Sequence, residues 1–313
     1  MFGDMNIAER LDEVKDSLAK CGADYVPLAS DFYPQKLKWI SDPPDFLFYK
    51  GSLDILKNTK SVAIVGTRAA TNYGKNITKK ISSMLAEHGI VIVSGLAAGI
   101  DSYAHEGTLN KGKTVAVLGT SIDTIYPISN EKLVKEIIKN DGLIISEYPP
   151  GIISQPWFFP QRNRIISALS DAVIVIEGDT QSGSLITARF AVKQGKPLFA
   201  LPGPIDSPMS NGPNALIKSG VAKLLTSIND VLEAINEDKQ LEFNLGDGKG
   251  KNIEGLSNAQ KEVYELLSSS PLSFDELMSK TSFNVSDLSK DLTILEMKGL
   301  IERASEGGYV RGA

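Results

Sequence analysis

The chain has 313 residues, of which 42% are hydrophobic and 23% charged, and a net charge of −5. That length gives ample core for two or three domains, and the balance is that of an ordinary globular protein. A lone cysteine, Cys21, excludes an internal disulfide and a cysteine-rich metal site, two histidines leave no multi-histidine centre, and the acidic balance requires any nucleic-acid contact to come from a local basic patch.

Residues 1–60 read as an N-terminal helical and extended segment. A helical pattern covers 7–20, and a proline-punctuated stretch follows through Tyr33-Pro34 and Asp42-Pro43-Pro44. The N-terminus lacks a basic region followed by an apolar one, and the longest apolar runs are far shorter than a membrane span. These features, with the single cysteine, imply a cytoplasmic protein without a membrane partner.

From 61 to 235 short β-branched runs alternate with amphipathic helices. Strands are predicted at 62–65, 90–93, 114–118, 143–146, 172–176 and 197–201. Helices are predicted at 75–88, stopped by Gly89, and at 184–194, stopped by Gly195. This alternation specifies an α/β domain with a mainly parallel, doubly wound sheet. Residues 236–254 are polar and glycine-rich, which reads as a flexible linker. The module at 255–313 has three helical patterns and a closing Gly307-Gly308-Tyr309-Val310 turn, a winged-helix-like arrangement. Its first helix presents Val263, Leu266 and Leu267, and its third presents Val285, Leu288, Leu292 and Leu295. That third helix carries Asp287, Asp291 and Glu296 against Lys290 and Lys298, which suits a phosphate-lined groove poorly and favours a protein contact or a weak accessory DNA role over sequence-specific duplex recognition.

Candidate chemistry sits where strands end, the usual ligand edge of an open parallel sheet. Gly66-Thr67-Arg68 follows the first strand: the glycine admits an anion close to the backbone, the threonine adds a hydroxyl, and the arginine adds a charged fork. The second strand leads into Ser94-Gly95-Leu96-Ala97-Ala98-Gly99-Ile100-Asp101, and the third into Gly119-Thr120-Ser121. The fifth leads into Gly178 and Ser182-Gly183-Ser184, with Thr187 one turn into the helix. Such turns form a shelf of N–H and O–H donors, although any one glycine there also serves turn geometry alone.

A second block, Trp157-Phe158-Phe159-Pro160-Gln161-Arg162-Asn163-Arg164, leads into a helix at 165–169. Its rings and guanidinium groups suit stacked bases and backbone phosphates, or equally a core with internal ion pairs. Neither G-x-G-x-x-G nor a lysine-bearing Walker loop is present, which disfavours a nucleotide cofactor. Asp101, His105, Glu147 and Glu177 are the titratable groups near the strand ends. Without a nucleophile elbow or a metal-ligand set, they read as structural, and no catalytic residue, metal or cofactor is assigned.

Taken in order, Val65-Gly66-Thr67-Arg68, Ser94 to Asp101, Ala104-His105, Tyr126-Pro127 and Ser146-Glu147-Tyr148 resemble the DNA-processing protein A family (DprA, also called Smf). So do Phe159-Pro160-Gln161-Arg162-Asn163-Arg164-Ile165-Ile166 and the run from Ser182 to Ala188, followed by Asn214, Leu216, Ile217 and Gly220. The resemblance implies an extended Rossmann-like domain in a homodimer that binds single-stranded DNA, protects it and helps load the RecA recombinase in natural transformation. It makes Arg68 the main DNA contact, aided by the block from Phe159 to Arg164. Two departures stand out: residues 1–30 are short for the helical domain that begins many members, and Ile128 stands where some carry a lysine, for which Lys193 or Lys196 offers weak compensation. The competing class is a phosphoribohydrolase-type nucleotide enzyme, but its Pro-Gly-Gly-x-Gly-Thr loop is replaced here by Glu177-Gly178-Asp179-Thr180-Gln181-Ser182-Gly183.

Overall fold

Every residue of Ser61–Val65 (β3), Val91–Ser94 (β4) and Ala172–Val175 (β7) is buried, as expected for parallel strands covered on both faces. The structure is a computed structural model describing residues 11–237, 256–267, 272–281, 283–297, 300–303 and 308–311. It divides into two compact units, Met1–Glu242 and Phe243–Ala313.

The first unit is built on nine strands: β1 (Asp24–Pro27), β2 (Phe46–Lys50), β3, β4, β5 (Thr114–Ser121), β6 (Leu143–Tyr148), β7, β8 (Leu198–Ala200) and β9 (Lys223–Leu224). Their spatial order is β1-β2-β6-β5-β4-β3-β7-β8-β9. All neighbours from β6 to β9 pair in parallel, whereas β2 runs antiparallel to β6 and β1 antiparallel to β2. Residues 24–50, grouped by sequence with the N-terminal segment, thus extend the edge of the sheet.

The helices are α1 (Leu11–Cys21), α2 (Gln35–Lys38), α3 (Asn72–Glu87), α4 (Ile100–Thr108), α5 (Glu131–Lys139), α6 (Phe158–Ala168), α7 (Ser184–Lys193), α8 (Asn211–Lys218) and α9 (Ile228–Glu237). Side-chain alternation along the strands divides the core. Ala63, Val65, Val93 and Val175 pack with Ile165 and Ile166 of α6, while Val62, Ile64, Ile92 and Ile174 pack with Ile81 and Leu85 of α3 and Ile100 of α4. Chain order reverses at β3, which pairs with β4 on one side and β7 on the other. This is the switch point at which an α/β sheet opens a crevice for ligands.

Two local expectations change. The aromatic–arginine block does not precede a helix at 165–169; it forms the first turns of α6, because Pro160 falls in the first turn, where a missing N–H breaks no helical bond. Gly119-Thr120-Ser121 is not a turn, since β5 continues through Ser121 and all three residues are buried. A Cβ on Gly119 would run into the Phe159 ring and backbone, so this glycine serves close packing of α6 on β5.

In the second unit α10 (Asn258–Leu266), α11 (Phe274–Lys280) and α12 (Val285–Met297) precede an antiparallel pair, β10 (Ile301–Arg303) and β11 (Tyr309–Arg311). Ser257 with Gln260, and Ser273 with Glu276, form capping boxes that start α10 and α11. Val263, Leu277, Leu288, Leu292 and Leu295 form a core of their own, whereas Val285, expected inside, is 62% exposed. Asp291 is no free surface charge: it is buried and accepts from Gln260 Nε2 at 3.0 Å. The expected linker at 236–254 lies outside the described residues, apart from its first two, which end α9.

Candidate functional site

At the switch point, the ends of β3 and β7 and the N-terminal turns of α6 and α7 enclose a cavity of about 440 Å³. Gly66, Arg68, Phe159, Arg162, Asn163, Ser182, Gly183, Ser184 and Thr187 line it, so most of the candidate contacts, distant in sequence, converge on one space. Val65, Ala97, Asp101, Pro156, Pro160, Ile166 and Ile186 complete the lining.

The loop carrying Arg68 is held by its backbone. Thr67 N–H donates to the Glu177 carbonyl at 2.7 Å, and the Thr67 carbonyl accepts from Ile100 N–H at 3.1 Å. The Thr67 hydroxyl accepts from Ala69 N–H at 3.1 Å, so Thr67 shapes the loop and does not line the cavity. Glu177 accepts from the backbone N–H and hydroxyl of Thr71, the N-cap of α3, placing a carboxylate at a helix N-terminus. Arg68 itself is exposed at the rim, its guanidinium carbon 5.9 Å from the centre of the Phe159 ring. Among the described residues no carboxylate lies within ion-pair distance of it. Phe159 in turn packs against Tyr126, which is 54% exposed, with ring centres 5.6 Å apart.

The floor is a buried hydrogen-bond network around Arg162. Arg162 donates to the Gly95 carbonyl at 2.8 Å and to the Val117 carbonyl, and its Nε donates to Asn163 Oδ1 at 3.2 Å. Asn163 passes the link on, donating to the Gly183 carbonyl at 3.2 Å and tying α6 to the start of α7. Asp101 accepts from Gly95 N–H at 3.1 Å. Burial pushes its carboxyl up, opposed by the Arg162 charge and backbone donors. Burial likewise pulls the Arg162 guanidinium down to about 10, against the pull of Asp101, and it stays charged at neutral pH. The cavity therefore has a fixed, bonded cation beneath it and a free one at its lip. Its far wall is the first turn of α7, where the Ser182 and Ser184 hydroxyls lie 2.8 Å apart beside Gly183, positions suited to an anion at a helix N-terminus.

Five predicted contacts lie outside the cavity lining. Besides Thr67, Ser94 is fully buried and donates to the Ile64 carbonyl at 2.7 Å, which ties β4 to β3 and removes it from any ligand. Gly95 is held between Asp101 and Arg162. Arg164 faces away and is only 5% exposed, with both terminal nitrogens on the Glu147 carboxylate at 2.6 and 2.9 Å and its Nε toward Asp42. The internal ion-pair alternative holds for that arginine. Trp157 is 61% exposed and stands edge-on to Phe158, which stacks on Tyr148 at 3.9 Å. The apolar walls, Ile166 and Ile186, and the partner ring Tyr126 were not assigned to the site from sequence, although all three lie in the motif blocks and Ile166 stands at helical spacing from Arg162 and Asn163.

Of the titratable candidates, His105 is fully buried with Nδ1 2.7 Å from the Thr114 hydroxyl, and burial drops it to about 3, so it is neutral. Because the Thr114 hydroxyl donates to the Ile92 carbonyl, it accepts from the imidazole, which places the ring proton on Nδ1. Asp101, His105, Glu147 and Glu177 each hold a partner within the fold.

The family model for DNA recombination-mediator protein A matches residues 24–236, and that for the DprA winged helix domain matches 249–307. The DNA processing protein DprA of Bacillus subtilis is 42% identical over 229 residues, covering 73% of this chain and 76% of that protein. That of Streptococcus pneumoniae is 48% identical over 206 residues, covering 66% and 72%. The solved structure of the latter protein superposes with a TM-score of 0.64 at 44% identity, covering 74% of this chain and 83% of that one. A DNA processing protein A from Helicobacter pylori, solved to describe its single-stranded DNA binding mode, gives 0.62 at 38% identity, covering 69% and 97%. With the first family model spanning residues 24–236 and these relatives matching over two thirds or more of their own length, the chain belongs to the DNA recombination-mediator protein A (DprA/Smf) family.

Proposed function

We propose that this chain is a non-enzymatic recombination mediator that grips single-stranded DNA at the switch-point cavity. The observation that carries the reading is Arg68, an exposed cation without a carboxylate partner among the described residues, set over the Phe159 ring. A backbone phosphate at Arg68 would meet the hydroxyls and amides around Ser182, Gly183 and Ser184, while an adjacent base stacks on Phe159. A duplex keeps its bases stacked inside and cannot offer one to that ring. The family's description and the single-strand binding of the Helicobacter pylori relative support the same reading.

On this reading the protein works in the cytoplasm as a homodimer, protecting incoming single strands and helping to load RecA during natural transformation. Two linked sites would raise avidity without new contacts. The test is a titration with single-stranded and blunt duplex oligonucleotides of equal length at low and high salt. Tighter, sequence-tolerant binding of the single strand that weakens steeply with salt is expected. Equal or better binding of duplex contradicts the reading, and so does sustained release of free base from nucleoside monophosphates.

A further inference from the structure

The cavity leaves one aromatic without a role. Helix α6 turns once in 3.6 residues, so Phe159, Asn163 and Ile166 face the cavity while residues offset from them face elsewhere. Trp157, Gln161 and Arg164 follow one another at spacings of four and three and share a different flank, with Gln161 N–H bonded to the Trp157 carbonyl at 3.2 Å. That flank borders a second groove of about 680 Å³ between α6, α7 and the stretch after α2. Gln161 lines this groove, although its chain neighbours Pro160 and Arg162 line the first cavity. The two spaces therefore meet across the first turns of one helix.

The groove combines an indole with positive charge. Trp39 is 84% exposed there, an arrangement that apolar packing does not explain. Two of its cations are neutralised within the fold: Lys36 by Asp171 at 2.6 Å, and Arg164 by Glu147 and Asp42. Lys193 and Lys196 add positive charge from the end of α7, and Lys193 is exposed. The acid at the rim, Asp42, lies 3.2 Å from Arg164 Nε. An open aromatic face beside the exposed Lys193 favours a base and a phosphate together over a protein partner. We infer that the single strand continues past the Arg68 cavity, crosses α6 at Trp157 and Gln161, and stacks a base on Trp39 with its backbone toward Lys193 and Lys196. The inference rests on the single-strand reading above.

Trp39 and Trp157 are the two tryptophans of the chain, which makes the path directly observable. In a Trp157→Phe variant Trp39 is the sole indole. An oligothymidine of roughly 12 nucleotides should quench it, whereas one of roughly 4 nucleotides, enough for the cavity alone, should leave it unchanged. Trp39→Ala should weaken binding of the longer strand about 5-fold or more and leave the shorter strand unaffected. Lys193→Glu should lower the salt dependence of the longer strand only. Trp39 emission unmoved by a long strand that still needs Arg68 overturns the inference and leaves the single-strand reading intact. A Trp39→Ala effect on oligomeric mass without loss of DNA affinity also overturns it, marking the groove as an interface between copies. No single-strand binding at any length removes both.

Discussion

Arg162 is 5% exposed, and its guanidinium donates to two backbone carbonyls beside the buried Asp101. Arg162→Ala leaves the Gly95 and Val117 carbonyls without their donor and should cost about 2–4 kcal/mol, read as a large fall in the thermal midpoint before any effect on binding can be measured. Arg68 lies on the same cavity but in solvent, so its removal should change stability by no more than about 0.5 kcal/mol. His105 supplies a pH test. Its folded pKa, about 3, lies below the ordinary value of 6.5, so between these values the unfolded chain binds the extra proton. Stability contributed by keeping this ring neutral is present above about pH 6.5 and drains away as pH falls toward 3. His105→Asn should flatten the denaturant midpoint against pH in that window; an unchanged slope would mean the ring is not the group responsible. At this scale the place of Arg68 at the cavity rim was legible, because a cation after a strand-ending glycine has few structural uses. Arg164 was not, since its partners Glu147 and Asp42 are 17 and 122 residues away and only folding brings them together.

Gly99 shows how an element edge sets the site. It takes φ of +82° at the start of α4, and a Cβ there would collide with the carbonyls of Thr67 and Arg68. Gly99→Ala should therefore lose about 1–3 kcal/mol of stability and weaken single-strand binding together, by pushing the Arg68 loop off Glu177 and Ile100. Wild-type affinity in a folded Gly99→Ala protein would show that the loop does not position the arginine. The parallel strands were legible because burial on both faces imposes β-branched runs bounded by turns, and all six predicted runs coincide with strands to within a few residues. Strands β1 and β2 were not: they carry mixed residues at an edge, where β1 pairs only with β2 and β2 is anchored on β6, about 95 residues further on. The aromatic block hid the start of α6 because Trp157, Phe158 and Phe159 lack strong helix propensity, and their packing on Tyr148, Tyr126 and Gly119 secures the first turn instead.

At the scale of the whole molecule, the cavity, its donors and the Trp39 groove all belong to the unit Met1–Glu242, and the winged helix has a separate core. Removing residues 243–313 should leave single-strand affinity within a few-fold of wild type, measured with the same oligonucleotide and salt. A collapse of affinity on removal would move the main DNA contact to the winged helix. The sheet and the winged helix were readable from periodicity, because each buries an apolar face with a regular repeat. The convergence of Gly66, Phe159, Asn163 and Ser182 was readable only once strand order was known, since it depends on β3 lying beside β7. The most direct test of the central claim titrates wild type and Arg68→Ala with a single-stranded oligonucleotide at two salt concentrations, alongside their melting temperatures. The predicted result is weaker binding by the variant, a salt slope shallower by about 0.7 for each phosphate that Arg68 no longer neutralises, and an unchanged melting temperature. Equal affinity and equal slope for the two proteins would contradict a phosphate grip at Arg68.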